Sequence, residues 1–395
     1  MIDVILKKGK EKAVLHKHPW VFSGAIENVK AKPANGDIVR LIDSKGAFMA
    51  YGFYNDQSRV ALRLLEWDEN ITVNEQWFRD KVAAAVASRS DLLIEGVTDT
   101  CRLIFSESDY LPGLIVDKYA DHLAVQVLTT GVEKMMPVII GELQRLFKPE
   151  SIFDKSDAAS RGHEGLGTQN IVLAGNHPPP RVEVKENGTA YNINIAEGQK
   201  SGFYCDQRDN RKIVASYASG KKVLDCFCYS GGFTLNALQS GAASVTAVDS
   251  SVLAIDTLKE NVILNKYEEG KITTIVSDVN KQLRKFREEG EMFDLIILDP
   301  PKYAPSRSAL DKASRAYKDL NRQGILLLNK GGLLATFSCS GAMDMGTFKQ
   351  VLAWAALDAG KQVQFIHQFC QPEDHPIRAS FPEGEYLKGL LCRVM

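Results

Sequence analysis

From about residue 181 onward, apolar runs of strand length alternate with helical stretches across short loops. Val223–Phe227, Ser244–Val248, Ile272–Val276, Phe293–Leu298, Leu333–Phe337, Val363–Phe369 and Leu387–Arg393 read as strands, and Leu253–Asn265 and Thr347–Ala359 are two of the intervening helices. Strands covered on both faces are continuously apolar, and a helix between two strands makes them parallel. The pattern therefore predicts an α/β domain with a doubly covered sheet. The final pair is the exception. The segment between them, Cys370–Tyr386, carries no helix, so these two strands are expected to run antiparallel.

The chain before this region has a different texture. Residues 1–70 hold short β-rich runs, Val4–Lys8, Val21–Val29, Asp37–Ile42, Phe48–Tyr54 and Val60–Glu66, with Asn35-Gly36 and Ser44-Lys45-Gly46 as turns. They predict a small all-β barrel or sandwich. Residues 74–180 begin with a helix from Glu75 to Leu93 capped by Asn74 and continue as an α+β segment with a second helix over Val132–Phe147. Pro178–Pro180 closes it, since proline donates no ladder hydrogen bond and stiffens the chain. The expected domains are thus 1–70, 74–180 and 181–395.

Three motifs in the α/β region carry chemistry. The first is Asp225-Cys226-Phe227-Cys228-Tyr229-Ser230-Gly231-Gly232, a glycine turn between a strand and a helix, where backbone can approach a ligand closely. The next strands end at Asp249 and Asp278. Either acid alone reads more readily as a helix N-cap. Acids at successive strand ends on the carboxyl edge favour ribose and adenine recognition instead. The second motif is Asp299-Pro300-Pro301-Lys302, a rigid turn that places an acid on the same edge, close to both the cofactor and a flat polar ring. The third is Ser338-Cys339-Ser340-Gly341 after the fifth strand. A cysteine is most often a small buried hydrophobe, and Cys226 and Cys228 are read that way. Cys339 leaves the strand beside the one that carries Asp299, which points to a nucleophile.

With these motifs in one order, the third region resembles a class I S-adenosylmethionine-dependent methyltransferase, Rossmann-like with seven strands. The whole chain resembles the RlmI-type family of ribosomal RNA cytosine-5 methyltransferases. Ala50-Tyr51-Gly52-Phe53-Tyr54-Asn55 is similar to that family's PUA domain, an RNA-binding β-barrel. Asp109 to Asp117 is similar to its small α+β domain, and Gly198-Gln199-Lys200-Ser201-Gly202-Phe203 with Asp206-Gln207-Arg208 to its entry into the catalytic domain. The resemblance implies S-adenosyl-L-methionine as cofactor. It assigns Asp249 to the ribose, Asp278 to the adenine amino group, Asp225, Phe227, Tyr229 and Gly231 to the methionyl portion, and Asp206, Gln207 and Arg208 to a cover over the site. Asp299 falls in the cofactor set and also serves as the base-recognising acid. Cys339 would be the nucleophile. Lys302 stands where other RNA cytosine-5 methyltransferases carry a second cysteine.

The implied partner is ribosomal RNA, and charge bears on it. The formal net charge is only −1, which gives no bulk attraction to a polyanion. Two stretches depart from that average. Lys7, Lys8, Lys10, Lys12 and Lys17 cluster at the N-terminus, and residues 301–322 hold six Lys/Arg, among them Lys302, Arg307, Lys312 and Arg315, against Asp311 and Asp319, a net of +4. A charge run is commonly a solvated face, but placement beside the Asp299 turn favours RNA. An N-terminus with lysines after its apolar start, and apolar runs far short of ~20 residues, predict a soluble cytoplasmic protein without membrane contact. Seven dispersed cysteines predict no disulfide framework, and Cys226 with Cys228 lacks the partners of a metal site. A homodimer is left open. The alternatives to cytosine-5 chemistry are methylation of a guanine nitrogen and a non-catalytic RNA-binding or assembly factor.

Overall fold

The computed structural model describes residues 1–198, 201–304 and 306–395. Gln199 and Lys200, which belong to the glycine-rich entry run, and Pro305 lie outside the described residues. The chain forms two compact units, the first made of Met1–Val184, Ile193–Cys205 and Glu373–Gly384, the second of Lys185–Asn192, Asp206–Pro372 and Glu385–Met395.

The first unit holds two sheets. One has six strands in the order Trp20–Phe22, Val60–Glu66, Phe48–Tyr54, Ile38–Ile42, Asp3–Leu6, Ile26–Val29. Alternate residues such as Val4, Leu6, Val39, Leu41, Leu62 and Leu64 form its buried face. The β-run expected over Val21–Val29 is two strands. A single turn of 3-10 helix at Ser23–Ala25 breaks it, and the halves pair with different neighbours, Trp20–Phe22 with Val60–Glu66 and Ile26–Val29 with Asp3–Leu6. The second sheet runs Ile171–Gly175, Ser151–Asp154, His122–Val127, Leu114–Tyr119, Thr100–Phe105. Helices Glu75–Ala87 and Thr130–Phe147 share its apolar cluster. Asn74 caps the first as expected, accepting from Trp77 N at 3.1 Å. That helix stops at Ala87 rather than Leu93. Arg89, just beyond it, enters a buried bidentate pair with Asp109, both contacts at 2.7 Å.

The second unit is built on a seven-stranded sheet in the order Ile272–Val276, Ser244–Asp249, Lys222–Cys226, Phe293–Leu298, Leu328–Ser338, Lys388–Val394, Val363–Phe369. The first five strands are parallel to their neighbours. The last two pair antiparallel, as expected, and the final strand inserts between the fifth and the sixth. Leu224, Ile296, Leu298 and Leu334 belong to one core, while Val223, Leu295, Ile297 and Leu333 belong to the other. Both faces are covered, which is why these strands read as unbroken apolar runs.

Register fixes where the strands end. Cys226 lies opposite Val248 on one side and Leu298 on the other, and Leu298 lies opposite Thr336. The following residues, Phe227, Asp249, Asp299 and Phe337, therefore lie at one level toward its carboxyl edge, with Asp249 and Phe337 still paired to Val276 and Gly389.

Candidate active site

The glycine turn that follows Lys222–Cys226 is a backbone in unusual conformations. Phe227 has φ 62°, Tyr229 φ 47° and Gly231 φ 92°. Two non-glycine residues in the left-handed region within one loop cost energy that the surroundings must offset. Other groups hold them there. Val248 O accepts from Phe227 N at 2.9 Å, Asp249 Oδ2 from Tyr229 N at 3.0 Å, and Ser230 O from Asn261 Nδ2 at 3.0 Å. Gly231 opens helix Gly232–Gln239, and a Cβ there would stand 2.2 Å from Leu258 Cδ1.

Three acids share the space at this edge. Asp225 is 1% exposed, and Thr234 Oγ1 donates to its Oδ2 at 2.6 Å. Its Oδ1 is buried without a hydrogen-bond partner among the described residues. Burial raises its carboxyl to about 7; the Thr234 hydrogen bonds oppose that rise, and the charges of Asp299 and Asp249 add to it. Register places Asp249 and Asp299 each two residues beyond the residue opposite Asp225, Ala247 and Ile297. Asp249 does not cap the helix that follows, because Ser251 does. Its carboxylate orders the loop through Tyr229 N and accepts from Ser251 N at 2.9 Å. Asp278 does cap the next helix, accepting from Lys281 N at 2.9 Å, and remains exposed.

Asp206, Gln207 and Arg208 lie where a 3-10 turn runs into helix Arg208–Ala215, and all three are buried. Tyr386 Oη donates to Asp206 Oδ2 at 2.7 Å, Asn210 Nδ2 to Gln207 Oε1 at 2.7 Å, and Arg208 Nε to Asp209 Oδ1 at 3.1 Å.

Asp299 follows the fourth strand, and Cys339 follows the fifth, its neighbour in the sheet. Cys339 is partly exposed, unlike Cys226 and Cys228, whose buried thiols are pushed far up. The two serines beside it are fixed from below. Ser338 Oγ donates to Tyr317 Oη at 3.0 Å, and the same Oη lies 3.2 Å from Ser340 Oγ. Ala304 N, five residues past Asp299, donates to Ser340 Oγ at 3.1 Å. One hydrogen-bonded set thus ties the turn after Asp299 to the turn that presents Cys339. Lys388 joins it, its Nζ donating to Ser340 O at 3.0 Å while only 3% exposed. Tyr317 and Lys388 are absent from the sequence reading. They stand 23 and 48 residues from Ser340 and touch it only through the fold.

Comparison with known proteins gives the family of the chain. A model of the PUA-like domain matches residues 4–67, and one of S-adenosylmethionine-dependent methyltransferases matches residues 170–390. Ribosomal RNA large subunit methyltransferase I of Photobacterium profundum is 43% identical over 393 residues, spanning 99% of this chain and 99% of that protein. The protein of the same name from an Enterobacter species is 42% identical over 394 residues, 100% of both. The chain belongs to this methyltransferase family. A candidate SAM-dependent methyltransferase of known structure from Streptococcus mutans aligns over 100% of both chains with a TM-score of 0.85. A candidate methyltransferase complexed with SAH does so with 0.87. Both are 21% identical, so the likeness is one of fold.

For a methyltransferase of this family, the residues at the sheet edge fit the cofactor. The orphaned Asp225 Oδ1 offers a buried acceptor for an ammonium group. Asp249 keeps lone pairs beyond the two that its backbone donors use. Among the described residues no His, Cys, Asp and Glu group could hold a metal ion, and no helix is long and apolar enough to cross a membrane. The basic candidates are exposed in both units. Lys7 donates to Gly24 O at 2.9 Å. Lys8, Lys10, Lys302, Arg307, Lys312 and Arg315 form no ion pair among the described residues. Lys318 is different, paired with Asp358 at 2.8 Å.

Proposed function

We propose that this methyltransferase acts on large-subunit ribosomal RNA, at C5 of a cytosine, through a covalent bond between Cys339 and C6. The RNA rests on the substrate for which the family's named members are called and on the PUA-like match at the N-terminus. The chemistry rests on one observation: a partly exposed cysteine, clamped between two anchored serines, at the strand end beside Asp299. A guanine nitrogen carries its own lone pair and needs no such group.

Cytosine C5 is a weak nucleophile. The Cys339 thiolate adds to C6, and the C5=C6 π electrons pass toward N3 and O2, which leaves an enamine with C5 nucleophilic. Asp299 accepts from the exocyclic amine and, in its protonated form, donates to N3, stabilising the negative charge that develops there. S-adenosylmethionine, when bound, supplies the electrophilic methyl that C5 accepts. Loss of the C5 proton to a base re-forms the double bond and expels the Cys339 thiolate. Asp225 would hold the cofactor's ammonium, Asp249 its ribose and Asp278 its adenine amino group. The loop through Phe227, Tyr229 and Gly231 would line the methionyl chain, with Asp206, Gln207 and Arg208 over it. The target base must be unstacked to reach Cys339.

RNA containing 5-fluorocytosine tests this, because fluorine cannot leave as a proton does and the adduct persists. The expected result is a denaturant-stable protein–RNA species whose cross-link maps to Cys339. Cys339→Ala should form none and should lower methyl transfer on the order of 10³-fold or more. Full activity in that variant overturns the covalent reading.

A further inference from the structure

Lys388 is unused by the reaction above, yet it sits beside the group that reaction depends on. A lysine that is 3% exposed is unusual, since burying an ammonium is costly unless something pairs with it. Its Cα lies opposite Ser338 in the antiparallel strand pair, while its Nζ reaches the carbonyl of Ser340 at 3.0 Å. The side chain therefore spans the one residue between them, Cys339. Among the described residues this is the single hydrogen bond of an ammonium that has three to give.

We propose that Lys388 is a positioning residue for the nucleophile, its buried ammonium favouring the thiolate form of Cys339; the role rests on the cytosine-5 reading. A cation beside a thiol makes it easier to ionise. The interaction is mutual. Burial lowers the pKa of Lys388, while Glu385, Cys339 and Asp344 pull it back up, in that order, and Lys302 pushes it down. The attraction that helps keep Lys388 charged is the one that helps Cys339 lose its proton. Glu385 precedes the strand of Lys388, Asp344 caps helix Met345–Asp358, Lys302 follows the Asp299 turn, and the Tyr317 phenol faces Cys339 from helix Leu310–Leu326. Glu385 and Asp344 thus oppose the loss of the lysine's charge, and Lys302 adds a second cation. The thiol proton goes to solvent before the adduct forms, and the sulfur is later released as thiolate, so the cycle needs no other co-reactant.

The test is the pH dependence of iodoacetamide alkylation in the full chain, read peptide by peptide by mass spectrometry. Cys370 is an internal reference, exposed, with a thiol pushed up by partial burial and then by Asp209 and Glu385. Cys339 should titrate about one unit or more below the ordinary ~8.5 of a free thiol, and below Cys370. Lys388→Met should move the Cys339 midpoint up by about a unit and leave the Cys370 midpoint and the thermal melt in place. Lys388→Arg should restore it. A Cys339 midpoint at or above ~8.5 in the unmodified protein overturns the proposal whether or not the Met variant folds. So does a midpoint indifferent to Lys388→Met in a variant that melts normally. Failure of the cytosine-5 reading shows separately, as absence of the 5-fluorocytosine adduct in the unmodified protein.

Discussion

Asp225 is a buried acid at the carboxyl edge of the seven-stranded sheet. Its carboxyl is buried and titrates at about 7, near two further acids. The sign of its effect on stability follows from proton counting. Between the unfolded value near ~3.9 and the folded value, the native state binds more protons than the unfolded state, so stability falls as pH rises through that window. Below it, the neutral acid carries no penalty. Above pH 7 the full cost of a buried carboxylate is present. Asp225→Asn removes that cost and keeps the shape. Without cofactor, the variant should be more stable than the parent at about pH 8 by roughly 1–3 kcal/mol and should lose the component of the melting curve between about pH 4 and 7. Its affinity for S-adenosylhomocysteine should fall at least tenfold, because the amide is a poor partner for an ammonium. Urea melts at about pH 5 and pH 8, with calorimetric titration of the ligand, check both halves. Equal stability losses at both pH values would show that the carboxyl is simply a packing and hydrogen-bonding group for Thr234.

At the scale of elements, strand ends and loops decide what the fold can do. The loop Phe227–Gly231 is tied to the second strand by Phe227 N, Cys228 N and Tyr229 N. Gly231→Ala would force a side chain into φ 92° and into Leu258 Cδ1, itself fully buried. We expect a loss of about 1–3 kcal/mol and weaker cofactor binding, measurable by melting with and without S-adenosylhomocysteine. Much of this unit was legible in advance. The apolar runs marked the strands, and the helix-free segment before the last strand set its antiparallel sense. Acids at successive strand ends drew attention to one edge, and register in a covered parallel sheet leaves little freedom in where those ends fall. Other elements depend on contacts that sequence does not display. Helical periodicity continues past Ala87, but the Arg89–Asp109 pair redirects the chain. The β propensity of Val21–Val29 is real, but Ser23–Ala25 sends its halves to different neighbours. Tyr317 and Lys388 belong to a helix face and a final strand with no motif of their own, and only the folded sheet brings them under the Cys339 turn.

At the scale of the molecule, a formal net charge of −1 conceals how the charges are used. Many cations are already engaged: Arg211 with Glu186 at 2.7 Å, Arg102 with Asp117 at 2.8 Å, Arg63 with Glu107 at 2.9 Å. Such pairs leave little field outside the protein. The cations on and before helix Leu310–Leu326 behave differently, because Arg307, Lys312 and Arg315 are exposed and form no ion pair among the described residues. Only charges of that kind can release counterions from a phosphate backbone, so the average over the chain is uninformative and the unpaired subset decides. Replacing Lys312 and Arg315 together by alanine should weaken binding of single-stranded ribosomal RNA fragments and flatten the plot of log affinity against log salt. The slope should change by about 0.7 for each phosphate contact removed, roughly 1.4 for the pair. Cofactor affinity and the alkylation midpoint of Cys339 should not move, since neither residue touches the strand ends. Filter-binding titrations between about 50 and 300 mM salt read the slope directly. An unchanged slope would mean that this face is solvated rather than bound to RNA, and would shift the search to Lys8 and Lys10, the exposed cations of the N-terminal cluster that likewise lack ion pairs among the described residues.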